Sequence, residues 1–403
     1  MKNPVNYIKQ HGIRHAVKTI WNYKIPNMQV KIIARFTAHL TLEDKIVIES
    51  HNDFDCNGGA FYDYLIEHGY NKRIKIVWRL YHTFDGRLPE NVYAVPLYGP
   101  SWRKAWHICT AKWLTADSSV ADRVRKDQVS LYMTHGIFGL KNFKGSARVP
   151  MSVSDVLSPS EAMDSVFVDM REIVNPETRL VHLGYPVLDR LHDQRHSESY
   201  EADVDARPMI LWMPTFRKGI TEGRCDATGS YPYGVALIEN PSALNELAGF
   251  LRTEGVRMVI KLHPKEDLSI LARASMERVA DVITFITGDM MGGFPFDTYD
   301  LMLDSLALIT DYSGAVFEYI ALDKPICFVM SDIKQYKIGL VPDSDKYMPG
   351  AKVETFCELK NFVHSVCNGG DEHARQRREF ERWFYRWNDS NSCKRIAAYL
   401  GMS

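Results

Sequence analysis

Short apolar runs rich in β-branched residues alternate along this chain with longer stretches of helical periodicity, and this alternation constrains the fold more than any other feature. Strands buried on both faces read as near-continuous apolar runs, and parallel neighbours need a long crossover between them. From about residue 45 the runs are KIVIES (45–50), IKIVWRL (74–80), NVYAVPL (91–97), KWLTADS (112–118) and QVSLYMTHG (128–136). SVSDVLSPS (152–160) adds a strand and a turn, and VHLGYP (181–186) reads as the last strand of this half. Phe61, Tyr64 and Leu65 recur at i, i+3 and i+4, as in a helix laid on a sheet face. After a polar stretch at 189–207 a second series follows: MILWMPT (209–215), VRMVIKLHP (256–264), DVITFI (281–286), LALITDYS (306–313) and PICFVM (325–330). Helices are expected at 241–253, 266–279, 298–304, 313–322 and 355–366, with more helix over 375–400.

The expected fold is therefore α/β, with two Rossmann-like domains facing each other across a cleft. The expected division is a basic amphipathic helical leader (1–43), an N-terminal domain (44–188), a linker (189–207), a C-terminal domain (208–370) and C-terminal helices (371–403).

Composition narrows the class. With 45% apolar and 25% charged residues the chain is ordinary globular material. No apolar run approaches the ~18 residues that would span a bilayer, and the N-terminus lacks the compact apolar core of a signal peptide. Seven cysteines without a CxxC or a metal-type spacing to histidine fit free thiols in a reducing compartment, so a cytoplasmic location is expected. The net charge of −1 argues against a nucleic-acid binder, yet it hides an asymmetry. The first 42 residues carry seven Lys and Arg and no acid, which leaves −8 on the remaining 361. Ile13, Val17, Ile20 and Trp21, then Met28, Ile32, Ile33, Phe36 and Leu40, recur in this leader at helical spacing. Apolar stripes beside Lys and Arg suit an interfacial helix on an anionic membrane surface; packing on the N-terminal domain is the alternative.

Ligands of open α/β sheets bind beyond the carboxyl ends of strands, and that rule selects five polar clusters. His135 follows the run VSLYM, with Gly136 allowing a sharp turn; a histidine there can act as a general base near neutrality or be a plain loop residue. His263 precedes Pro264, which holds it extended, with Lys261 adding charge. In ITDYSGAVFEY (309–319) a strand ends near Asp311, which would support the turn, and a helix starts near Ser313 and Gly314; the serine could donate to phosphate or merely cap the helix. Thr215 and Arg217 in MPTFRK form an anion-friendly group. Asn57 and Gly58 lie in the polar loop ESHNDFDCNGG (49–59), which could bind an acceptor or simply connect strand to helix. No GxxxxGK[ST] and no GxGxxG occurs, and no carboxylate-rich DxD-like cluster follows a strand in the pattern that strongly implies a bound metal; Asp53 and Asp55 leave a metal reading open, and the metal requirement is not fixed by the sequence.

The order and wording of these motifs resemble the CDP-glycerol glycerophosphotransferase family of teichoic acid and capsule synthesis over about residues 45–370. LMLDSLALITDYSGAVFEYIALDKPICF (301–328) is similar to that family's strand, D-Y-S-S, helix and K-P strand. MPTFR (213–217) resembles P-T-W-R, KLHP (261–264) resembles R-x-H-P, and THG with Leu140-Lys141 resembles W-H-G-T-x-x-K. ESHNDFDCNGGAFYDYL, VWRL and GYPVLD (184–189) resemble its E-S, D-N-P-x-x-x-Y-x-Y-L, W-x-x and G-Y-P-R-N-D segments. The departures are Gly314 for the second serine, Ile137 for the threonine, Thr134 for the tryptophan and Lys261 for the arginine.

The resemblance implies a glycosyltransferase-B-type fold with the acceptor on the N-terminal domain and the nucleotide donor on the C-terminal one. It implies transfer of glycerol phosphate or ribitol phosphate from a CDP-polyol donor to a hydroxyl of a lipid-linked or glycan acceptor, with release of CMP. His135 and His263 are then the expected catalytic pair, with Thr215, Arg217, Ser313, Gly314 and Lys261 on the donor phosphates, Asp311 and Gly136 in support, and Asn57 and Gly58 on the acceptor side. No tightly bound cofactor and no nucleic-acid partner is expected, and the location becomes peripheral at the inner face of the cell membrane. A nucleotide-sugar transferase of the same fold, sialyltransferase-like or using a UDP-sugar, and an inactive nucleotide-binding scaffold are the alternatives.

Overall fold

A computed structural model describes residues 12–142, 144–145, 148–193, 206–217, 225–229, 231–266, 268–287 and 297–402. The chain divides into two compact units. One comprises Met1–His135, Ala147–Asp189 and Asn391–Ser403; the other comprises Gly136–Ser146 and Arg190–Ser390. The chain passes between the units at 135/136, 146/147, 189/190 and 390/391, and most of the 189–207 stretch lies outside the described residues.

The first unit holds strands β1 (Glu43–Glu49), β2 (Lys75–Leu80), β3 (Val92–Pro96), β4 (Ala111–Ala116), β5 (Val129–Tyr132), β6 (Asp155–Leu157) and β7 (Arg179–Val181). They form one sheet in the order β3-β2-β1-β4-β5-β6-β7, with every pairing parallel. Ile46, Val47 and Ile48 of β1 and Trp113 and Leu114 of β4 are buried, as a sheet covered on both faces requires. The VHLGYP segment departs from the expected strand. Only Val181 of it is extended in β7, Gly184 turns the chain at φ 79°, and Pro186 opens a helix that runs to His192. Proline is at home there because the first helical N–H has no intrahelical partner.

The second unit holds β8 (Met209–Trp212), β9 (Arg257–Lys261), β10 (Ile283–Ile286), β11 (Ser305–Thr310), β12 (Ile326–Val329) and β13 (Ala351–Val353). Their order, β10-β9-β8-β11-β12-β13, repeats the topology of the first unit and is again parallel throughout. Helices at Pro241–Glu254, Thr298–Asp304 and Phe356–Cys367 fall where periodicity placed them, each started by a side-chain cap from Asn240, Asp297 or Thr355. The expected 266–279 helix starts later, at Ile270, because Ser269 takes the N–H of Ala272.

In the leader, helices Ile13–Thr19 and Ile25–Thr37 are joined through a π-helical turn, Ile20–Lys24. One face is packed: Gln29 accepts the N–H of Ser101 at 2.8 Å, and Cys109 donates to the carbonyl of Val30 at 3.4 Å. Ile13, Val17, Ile20, Trp21, Met28, Phe36 and Leu40 remain exposed, so packing on the sheet unit accounts for only part of the apolar surface. Among the described residues no helix is long and apolar enough to cross a membrane.

The C-terminal helix Ser392–Tyr399 belongs to the first unit because a buried carboxylate holds its start. Asp189 accepts the N–H groups of Ser392 and Cys393 at 2.8 and 2.7 Å, Arg395 donates to the carbonyl of Leu183, and Trp113 donates to that of Leu400. Asp189→Ala leaves two helix N–H groups unpaired and is expected to cost about 1–3 kcal/mol. Urea unfolding reads that loss, and faster hydrogen exchange across 392–402 localises it; unchanged exchange there would refute the anchoring role.

Candidate functional site

Both sheets place their central strand between neighbours that lead away in opposite directions, at β1 between β2 and β4 and at β8 between β9 and β11. The carboxyl ends of these strands are where open α/β sheets receive ligands. Each sequence-selected residue lies at the end of one of these strands or of the adjacent β5, in the loop that leaves it, or in the first turn of the helix that follows.

In the first unit the chain leaves β5 through Met133 and turns at Thr134, His135 and Gly136. Thr134 and Gly136 both have left-handed backbone, φ 66° and 67°. For a β-branched residue that conformation is costly and must be held by its surroundings. The holder is Asn57, buried in the first turn of the helix Cys56–Glu67. Its amide donates to the Thr134 carbonyl at 3.1 Å, and its oxygen accepts the N–H of Val187 at 3.3 Å. Asn57 thus supports the turn that carries His135. Gly58 is buried too: its N–H donates to Asp117 at 2.9 Å, and a Cβ on it would lie 3.0 Å from the Glu49 carbonyl. It serves the close approach of helix to strand ends.

His135 itself is exposed. Its ring stacks on that of His51 with centroids 3.7 Å apart, and its Nδ1 lies 3.7 Å from the Sγ of Cys56. Beneath are two buried carboxyl groups at the ends of β1 and β4. Glu49 accepts the N–H groups of Asp117 and Ser118 and the hydroxyl of Ser118. Burial pushes the Asp117 carboxyl well above its ordinary value, and the neighbouring charges of Glu49 and Asp55 add to the shift. Cys56, His51, Glu49 and Asp117 were not singled out from sequence. Asp117 directly follows the run of β4, so the strand-end rule contained the signal.

In the second unit the loop after β8 meets the turn after β11 through a buried ionic cluster. The N–H and hydroxyl of Thr215 both donate to Asp311. The guanidinium of Arg217, 1% exposed, reaches Asp311 at 2.8 Å, Asp332 at 2.8 Å and the Thr215 carbonyl at 2.9 Å. Tyr312 donates to the second Asp332 oxygen at 3.1 Å, and the Tyr231 ring lies 5.1 Å below the guanidinium carbon. Burial alone would lower the Arg217 pKa, but the charges of Asp311 and Asp332 raise it above its ordinary value. Thr215 and Arg217, expected on donor phosphate, are therefore the internal brace that sets the loop. Asp311 is tied to both of these residues.

His263 stands in the loop after β9, beside the loop after β8. The N–H of Lys265 donates to its Nδ1 at 3.1 Å, so the neutral ring carries its hydrogen on Nε2. Its ring lies 5.2 Å from that of Phe216, while the N–H of Arg217 donates to Glu266 at 3.0 Å. Lys261 is the last residue of β9 and half-buried. Ser313 is half-buried and its hydroxyl accepts the N–H of Ala315 at 3.4 Å, so it takes part in starting the short helix Ala315–Ile320. Gly314 explains its own departure from D-Y-S-S. A Cβ there would sit 2.6 Å from the backbone oxygen of Phe138, whose segment packs against this turn with the Phe138 and Phe317 rings 4.9 Å apart. Gly136 belongs to that segment, and a Cβ on it would face the Glu318 carboxylate at 3.5 Å. Among the described residues no group of three or more His, Cys, Asp or Glu is placed to hold a metal ion.

Two parallel sheets of repeated topology, each with a histidine beyond a strand's carboxyl end, define a two-sheet α/β protein. The chain belongs to the CDP-Glycerol:Poly(glycerophosphate) glycerophosphotransferase family, whose model matches residues 32–401. It is 24% identical over 274 residues to the teichoic acid glycerol-phosphate primase of Bacillus subtilis, covering 65% of this chain and 64% of that protein, so the match spans somewhat under two thirds of that relative. It is 22% identical over 428 residues to the teichoic acid glycerol-phosphate transferase of Staphylococcus aureus, covering 98% of each. Its fold is similar to that of the wall teichoic acid polymerase TagF, with a TM-score of 0.70, 18% identity and coverage of 98% of this chain and 97% of that one. A variant of TagF soaked with CDPG is similar to the same degree, with a TM-score of 0.69 and 16% identity.

Removing one partner of a buried ion cluster strands the others. Arg217→Ala is expected to destabilise the second unit by about 3–5 kcal/mol, and Arg217→Lys to recover only part of this because an ammonium cannot span two carboxylates. Denaturant unfolding checks both; a stable Arg217→Ala variant that had merely lost donor affinity would return the residue to the phosphate.

Proposed function

We propose that this protein transfers glycerol phosphate or ribitol phosphate from a CDP-activated polyol to a hydroxyl group of a lipid-linked or glycan acceptor in teichoic acid or capsule polymer synthesis. The observation that carries the reading is the pair of strand-end histidines in a chain of this family, each fixed by its own loop chemistry. The acceptor hydroxyl attacks the polyol-bearing phosphorus while the bond to CMP breaks. One proton must leave the hydroxyl, and negative charge on the phosphoryl oxygens must be met. His135, exposed beyond β5 on a turn locked by Asn57, is the base. His263, with Nδ1 already accepting the Lys265 N–H, offers Nε2–H to a phosphoryl oxygen. Ser313, Gly314 and Lys261 complete the donor side, and Thr215, Arg217 and Asp311 hold their loops. Preorganised donors of this kind act without reorganisation as charge develops. No tightly bound cofactor is required.

A panel of CDP-glycerol, CDP-ribitol, CMP-sialate and UDP-sugars, read as nucleotide release with a membrane acceptor, tests the donor. The expected product is CMP from a CDP-polyol, with kcat lowered by about a hundredfold or more in His135→Ala and in His263→Ala at unchanged stability. Release from a nucleotide sugar alone, or near-normal turnover in both variants, would overturn the reading.

The lipid-linked acceptor places the enzyme at the inner face of the cell membrane, held by the leader. Arg14, Lys18, Lys24, Lys31 and Arg35 lie on the helices that expose Trp21, Met28 and Phe36. Each basic residue near an anionic surface contributes about 1 kcal/mol, so Lys24→Ala and Lys31→Ala should each weaken binding to phosphatidylglycerol vesicles by roughly fivefold. Cosedimentation that ignores both changes would remove the leader from membrane binding.

A further inference from the structure

His135 has a specific neighbour for the ring nitrogen that faces the protein. Its Nδ1 lies 3.7 Å from the sulfur of Cys56, within reach of a hydrogen bond to sulfur. The position of that thiol is fixed by the backbone. Cys56 is the first residue of the helix Cys56–Glu67, it is buried, its φ is 58°, and its own N–H donates to the capping carboxylate of Asp55 at 2.6 Å. A left-handed residue other than glycine at a helix start is held by its surroundings rather than chosen by propensity. The stacked ring of His51 fixes the plane of the His135 imidazole from one face and leaves its edges to hydrogen bonding.

Beyond the thiol lies Asp117. It is fully buried; Oδ2 takes the Gly58 N–H at 2.9 Å, and Cys56 is a further hydrogen-bond partner of the carboxyl group. The groups facing the thiol and carboxyl are Glu49, Asp55 and Tyr132, all of the first unit. Burial pushes the Asp117 carboxyl above its ordinary value, and the charge of Glu49 beside it adds to the shift.

We propose that Cys56 is a positioning residue for His135: the Nδ1–H of the imidazole donates to the Cys56 sulfur, which leaves Nε2 as the basic atom. The proposal rests on the reading of His135 as the base and deepens it. A neutral imidazole has one donor and one acceptor nitrogen, and only the tautomer with its hydrogen on Nδ1 can take a proton at the outer nitrogen. In the transfer step the hydroxyl proton moves to Nε2, a new oxygen–phosphorus bond forms, the bond to CMP breaks, and CMP carries off the bonding pair. The Nδ1 hydrogen stays in place throughout, and no proton passes to sulfur. A thiol is a weak acceptor, so it orients the ring without the strong ion pair that a carboxylate there would form with the imidazolium.

The test reads the tautomer directly. In protein labelled with nitrogen-15 histidine, the His135 signals are assigned by subtracting the spectrum of His135→Gln. The wild type should show a protonated Nδ1. Cys56→Ala should lose that state, with kcat lowered about tenfold or more at an unchanged donor KM. Cys56→Ser, whose hydroxyl also accepts, should restore the tautomer and part of the rate. Cys56→Gly removes the thiol while suiting left-handed backbone, and covers the case in which the alanine variant fails to fold. A His135 tautomer unchanged in Cys56→Ala and Cys56→Gly overturns the proposal whatever the turnover. Full turnover in His135→Ala would instead remove the base assignment, and the tautomer measurement would still decide what Cys56 does.

Discussion

Parallel strands cannot be joined by tight turns, and this constraint organises the rest of the molecule. Each pair of consecutive parallel strands needs a crossover that carries the chain from the carboxyl end of one back to the amino end of the next. Every strand of a sheet therefore releases its following loop on the same side, and the strand-end residues of distant segments come together without any of them being near in sequence. In the first unit this brings the loop after β1, Asp117 after β4 and His135 after β5 into one polar layer above an apolar sheet. In the second it brings Thr215, His263 and Asp311 together from β8, β9 and β11.

Loops collected this way still have to be held, and the two units use different means. The second unit uses charge: one guanidinium bridges two carboxylates while Thr215 and Tyr312 satisfy their remaining lone pairs. Buried ions cost a good deal to desolvate, and such a cluster repays that cost only when every partner is present and hydrogen-bonded. The first unit uses backbone conformation and amides. Left-handed residues at Phe54, Cys56, Thr134 and Gly136 bend the loops, and Asn57 and Asp55 pin them. Gly59 makes this possible, because a Cβ there would lie 2.4 Å from the Phe54 carbonyl.

What could be read from the sequence follows from these physics. The strands were legible because burial on both faces leaves uninterrupted apolar runs, and several helix starts because Asn240, Asp297 and Thr355 cap them locally. The site loops were legible as strand-end polar clusters. The direction in which their side chains point was not. Arg217 in MPTFRK has the look of an exposed cation, yet its partners lie far along the chain at Asp311 and Asp332, the latter 115 residues on. Asn57 and Gly58 look like a permissive loop, yet they are buried against Thr134 and Asp117. Sequence spacing carries local information, whereas these assignments depend on contacts that exist only once the sheet is assembled.

The departures from the family motifs show the same dependence. Gly314 replaces a serine where a neighbouring backbone oxygen, that of Phe138, fills the space a side chain would need. The segment that supplies the oxygen carries Ile137 where the motif has threonine, and Ile137 is fully buried. Both departures thus lie where the Phe138 segment packs against a single turn. Thr134 replaces a tryptophan on the other side of His135, where a left-handed, fully buried position leaves little room for a large ring. The histidine between these altered residues keeps its exposed position, because its placement comes from the Asn57 amide holding the Thr134 carbonyl and needs neither the original indole nor the original hydroxyl.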